Sequence, residues 1–132
     1  MSFRCGSLKS LQAALAVVVM CGLPPAYGKE LPAPAKAEVQ TLLNALGNSG
    51  CEFYRNGTWY DSAKAKDHIE SKLAYLERKE LIASAEEFIK LGATKSSRSG
   101  EAYQVRCPGQ NPEPSATWLE RQLKQVRGAA HK

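Results

Sequence analysis

The chain has 132 residues and a formal net charge of +5, a length that leaves room for one domain. No basic stripe with interleaved aromatics runs along it, so nucleic acid is not an implied partner. The excess of positive charge is partly an effect of the first residues, where Arg4 and Lys9 stand without an acid.

From Leu11 to Leu23 the chain is almost wholly apolar, and Pro24 and Pro25 end the run. Ala26-Tyr27-Gly28 then sets small residues at the two positions that a signal peptidase reads. A charged start, a short apolar core and a small-x-small exit predict a cleavable signal peptide over 1–28. The run falls short of the ~20 apolar residues of a permanent membrane span. Cys21 raises lipidation as a minor alternative, but Met20 before it is a poor fit. Export to the periplasm is therefore the expectation. Removal of 1–28 would lower the net charge from +5 to +3, because Arg4 and Lys9 leave with it. Cys5 and Cys21 leave too, and Cys51 and Cys107 remain. Two cysteines in an oxidising compartment most simply pair.

Residues 29–34 read as a linker. A helix is predicted from about Ala35 to Leu46, with Val39, Leu42, Leu43 and Leu46 on one face, and Gly47 ends it. Cys51–Arg55 alternates and is followed by Asn56-Gly57 and Thr58-Trp59-Tyr60. Asn-Gly between two such runs predicts a hairpin, because both turn positions need positive φ. Asp61 or Ser62 caps a second helix that runs to about Arg78 and buries Ala65, Ile69, Leu73 and Leu76. Ser84 and Glu87 form a capping box for a short third helix carrying Ala85, Phe88, Ile89 and Gly92 inward. Thr94–Gly100 is a polar turn and Ala102–Cys107 alternates as a strand. Pro108–Pro114 reads as a loop, about Ser115–Val126 as a last helix, and 128–132 as a disordered tail. The expected architecture is a single α+β domain over 35–127, with a three-stranded antiparallel sheet, about four helices and one disulfide.

Chemistry-bearing motifs are few. His68 is the only histidine outside the tail, and one histidine without an acidic cluster supplies no usual zinc ligand set, so no metal and no cofactor are expected. There is no Gly-x-Ser-x-Gly elbow and no Ser-x-x-Lys. What does accumulate is a mixture of cations, hydroxyls and aromatics: Arg55 and Asn56 at the hairpin, Tyr60 closing it, and His68 and Lys72 one helical turn apart. Ser96, Ser97, Ser99 and Tyr103 follow. Such a mixture suits a surface that holds an anion or a polar partner. The plainer explanation is solvated cations beside half-buried sheet tyrosines.

These same residues carry a resemblance. Ser49-x-Cys51-x-Phe53, Arg55-Asn56-Gly57-x-x-Tyr60, His68-x-x-x-Lys72, Glu87-Phe88-Ile89, Ser96-Ser97-x-Ser99-Gly100-x-x-Tyr103-x-Val105-x-Cys107 and Trp118-Leu119 resemble the small secreted bacterial proteins grouped as domain of unknown function 5329. The resemblance spans about residues 38–126. It implies export, a compact domain and pairing of Cys51 with Cys107, and it implies no activity. It also directs attention to Arg55, Asn56, His68, Lys72, Ser97, Gly100 and Tyr103. The expectation is a monomeric, non-enzymatic binding module of the cell envelope, inhibitor- or immunity-like, that holds an envelope protein or a polar or anionic ligand. The alternative is a small cell-wall hydrolase with His68 as base and a serine of the 96–99 turn as nucleophile.

Overall fold

A computed structural model describes residues 30–131 and Gly22. The expected signal peptide, apart from Gly22, the expected cleavage site and Cys21 lie outside the described residues. The chain runs α1 (Ala33–Gly47), β1 (Glu52–Arg55), β2 (Thr58–Tyr60), α2 (Ser62–Arg78), α3 (Ala85–Gly92), β3 (Gln104–Arg106), β4 (Glu113–Pro114) and α4 (Ser115–Ala130). The four helices pack against one another and cover one face of an antiparallel sheet of order β2-β1-β3-β4.

The expected α+β class stands, but the sheet has four strands rather than three. Glu113 and Pro114 pair with Val105 and Gln104. Two residues are too few to show a period of two, and a proline is tolerated only because this is an edge strand. Both ends of the domain also reach further than expected. Leu31, placed in the linker, is 6% exposed and belongs to the core. Pro32 and Pro34 do not delay α1, since proline's fixed φ suits a first helical turn. At the other end α4 continues through Gly128 to Ala130, into the expected tail.

The core is the sum of the helical stripes. Val39, Leu42, Leu43 and Leu46 of α1 meet Ile69 and Leu76 of α2, Phe88 and Ile89 of α3, and Trp118, Leu119 and Leu123 of α4. Asp61 caps α2, its Oδ1 accepting the Lys64 N–H at 2.8 Å. Ser84 Oγ accepts the Glu87 N–H at 3.1 Å, while the Glu87 carboxylate takes the N–H of Ala83, one residue before the expected partner.

Three further features fix the sheet, one of them to a helix. Cys51 and Cys107 are bonded, so the start of β1 is tied to the residue after β3. Ser62 Oγ donates to the Cys51 carbonyl at 2.6 Å, which fixes the first turn of α2 to that corner. The Asn56-Gly57 turn adopts the positive φ values, 47° and 88°, that a tight hairpin demands. Its register pairs Phe53 with Tyr60 and Arg55 with Thr58. Phe53 and Arg55 therefore share the helix-facing side of β1, Phe53 in the core and Arg55 at its rim. Glu52, Tyr54, Trp59 and Arg106 take the opposite face, where the Arg106 guanidinium lies 4.1 Å from the Trp59 ring centre and 3.0 Å from Glu52.

Candidate functional site

Arg55 leaves β1 toward α2, and His68 leaves α2 toward the sheet. Arg55 Nη1 lies 2.6 Å from His68 Nδ1. A guanidinium only donates, and Nη1 lies closer to Nδ1 than to Nε2, at 3.2 Å, which assigns Nδ1 as the acceptor and the ring proton to Nε2. Nε2 lies 3.1 Å from the hydroxyl of Tyr103 and donates to it. Lys72, one turn further along α2, donates to the same hydroxyl at 3.2 Å and to the Lys95 carbonyl at 3.1 Å. Its ammonium is 5.0 Å from the Tyr103 ring centre. Tyr103 itself is buried, at 6% exposure, where a half-buried position was the plainer expectation.

The charges at this cluster are all of one sign. Burial, then the charges of Arg55 and Lys72, push the His68 pKa down to about 4, so the ring is neutral near pH 7. Burial and Arg55 likewise hold the Lys72 ammonium below its usual range. Burial raises the Tyr103 phenol. Arg55 also stands 5.2 Å from the Tyr60 ring centre and lowers that phenol through hydrogen bonding and charge. None of the ion pairs among the described residues includes Arg55, Lys64 or Lys72.

Asn56 and the serine turn form a second cluster beside the first. Asn56 Nδ2 donates to Ser96 Oγ at 3.1 Å, and Ser99 Oγ donates to Asn56 Oδ1 at 2.7 Å. Ser96 is buried and also accepts the backbone N–H groups of Arg98 and Ser99. Gly100 closes this turn with φ of 73°, and its N–H bonds the Ser96 carbonyl. Ser97 is exposed. The serine hydroxyls thus organise a turn and brace the hairpin. No hydrogen bond joins His68 to a serine among the described residues, as both ring nitrogens face Arg55 or Tyr103.

Two components of the site have no counterpart in the sequence reading. One is Lys64, four residues before His68 and therefore on its side of α2. That spacing was available as a signal. The other is a cavity of about 230 Å³ between the sheet and the helices. Leu46, Phe53, Ala65, Ile69 and Leu119 form its apolar walls, and Arg55, Tyr60, Lys64 and His68 contribute polar groups. Voids between elements leave no periodic trace in a sequence. Among the described residues no group of three or more His, Cys, Asp or Glu is placed to hold a metal, and no helix is long and apolar enough to cross a membrane.

Comparison with known proteins gives a single result. A family model described as a family of unknown function (DUF5329) matches residues 33–127. No curated protein and no solved structure matches the chain.

Proposed function

The chain belongs to the DUF5329 family, and from that premise we propose that it is an exported, non-enzymatic binding module of the cell envelope that recognises an anionic group at Arg55, His68, Lys72 and Tyr103. One observation carries this reading. Two half-buried cations without a carboxylate partner converge on a neutral histidine and a tyrosine that already accepts two hydrogen bonds. Cations withdrawn from water without a counter-charge are costly, and a bound anion relieves that cost. Every group left over at the site is a donor: further N–H groups of Arg55, a third proton on Lys72, and the O–H of Tyr103.

Export rests on the 1–28 segment and on the Cys51–Cys107 disulfide, a bond typical of oxidising compartments. The hydrolase reading needs a nucleophile paired with its base. Ser96 and Ser99 are bonded to Asn56 instead.

Acetate and phosphate titrations of the full chain, followed by the NMR resonances of Arg55 and His68 at constant ionic strength, test the recognition. Saturable shifts in the wild type that vanish in Arg55→Gln/Lys72→Gln are expected. An absence of saturable shifts with either anion would refute it. Export is checked by mass spectrometry of the protein recovered from an envelope fraction. A mature start at Lys29 is expected, and an intact chain confined to the cytoplasm would contradict it.

A further inference from the structure

The cavity beside Arg55 is continuous with the anion-recognition reading and deepens it. Its walls are side chains of the core, from Leu46 of α1, Phe53 of β1, Ala65 and Ile69 of α2 and Leu119 of α4. Arg55 and Tyr60, half-buried, and Lys64, exposed, line it too, and both cations act on the Tyr60 phenol. An apolar pocket with a few convergent polar groups is the usual form of a small-molecule site, and this one lies just below the ~300 Å³ at which such sites generally begin. Along the apolar walls a water finds few of the ~2–4 polar partners that it wants. An apolar chain fits those walls better.

The polar end selects the head of such a molecule. Arg55 keeps N–H groups beyond the one spent on His68, and a guanidinium presents them in a planar fork that matches a carboxylate. Lys64 has no carboxylate partner among the described ion pairs, it lines the same cavity, and its charge is felt by Tyr60. Tyr103 lines the cavity as well and has an O–H to donate, since its oxygen already accepts from His68 and Lys72. A head that is all acceptor and carries one negative charge complements this set of donors. A neutral or cationic head does not.

We propose that the cavity binds a small amphiphilic carboxylate, its head on Arg55, Lys64 and Tyr103 and its apolar body among Phe53, Ala65, Ile69 and Leu119. The size of the body follows from the volume. At ~30 Å³ for a water-sized group, about 230 Å³ accommodates roughly seven or eight carbons. The inference rests on the anion reading but adds a separate claim, that affinity depends on chain length.

The test is calorimetric titration of the full chain with acetate, butanoate, hexanoate, octanoate and decanoate, with octanol as the headless control. Affinity is expected to rise roughly three- to fourfold per methylene and to level off near eight carbons. Octanol is expected to bind at least tenfold more weakly than octanoate. Ala65→Leu, which fills part of the cavity, should abolish the chain-length gain. Should that variant not fold, Arg55→Gln serves in its place and should bring octanoate down to the affinity of octanol. Acetate binding with no gain along the series would overturn the amphiphile and leave the anion reading standing. If none of the carboxylates binds, the amphiphile falls, and the anion reading falls with it only when phosphate also fails to bind. Octanol binding as tightly as octanoate would remove the carboxylate head from the assignment.

Discussion

His68 makes the stability of the domain depend on pH between the ordinary histidine value and about 4. Its pKa is lowered from 6.5 to about 4 by burial and by the charges of Arg55 and Lys72. The unfolded chain therefore holds a proton on this ring between those values, while the folded protein does not. Stability rises with pH wherever the unfolded state binds more protons, so it must fall as pH drops from 6.5 toward 4. At about 1.4 kcal/mol per pH unit the ceiling is about 3 kcal/mol, and solvent screening of a half-exposed ring reduces it to about 1–2. The groups facing the ring do not confuse the result. Arg55 from β1 and Lys72 from α2 stay charged throughout, and Tyr103 stays neutral. Lys64 lies on the same helix and is also cationic, and the other histidine, His131, is at the exposed end of α4. Urea unfolding of the wild type and of His68→Gln at about pH 7 and about pH 4.5 measures the effect. Glutamine can still accept from Arg55 and donate to Tyr103, but it does not titrate. The variant should lose about 1–2 kcal/mol less than the wild type on acidification. Equal losses, or a His68 resonance that titrates at the ordinary histidine value, would refute the reasoning. A bound anion should move that titration upward, because it offsets the cationic field on the ring.

Two perturbations away from the ring are equally direct. Replacing both Cys51 and Cys107 by alanine opens a loop with a sequence separation of 56 and should cost about 4 kcal/mol on the loop-entropy account, read as a lower urea midpoint. A midpoint unchanged from the oxidised wild type would contradict that account. Ser96→Ala removes the acceptor shared by Asn56, Arg98 and Ser99 and should cost about 1–3 kcal/mol, with accelerated amide exchange in the 97–100 turn. Unaltered exchange there would mean that Ser96 does not organise the turn.

Most of the architecture was legible because it is written locally. Asn56-Gly57 needs positive φ at both positions and so announces a hairpin, and Asp61 and Ser84 announce the helices they cap. Strand β4 escaped because a two-residue element with a proline has neither period nor propensity. The site was legible in part. Arg55, His68, Lys72 and Tyr103 meet, with Tyr60 against Arg55, as their composition suggested. The serines divide differently. Ser96 is internal to its turn, and Asn56 and Ser99 brace it, a distinction that depends on backbone geometry rather than residue type. The cavity was invisible, since Phe53, Ile69 and Leu119 read as ordinary core positions until their spacing across elements is known.

The bond between Cys51 and Cys107 closes a covalent ring, and Arg55, Tyr60, Lys64, His68, Lys72, Ser96 and Tyr103 are all members of it. A single cut in the backbone between those cysteines would not separate any of them. The exposed corner at Lys79–Leu81, where Glu80 takes a φ of 55°, could be severed and both halves would remain chained together. A cut outside the ring, at either end of the domain, also leaves these seven residues on one piece. With the bridge reduced, the same cut at Glu80 would split the chain in two, with Arg55 and His68 on one fragment and Tyr103 on the other. Only there would survival of the site depend on packing alone.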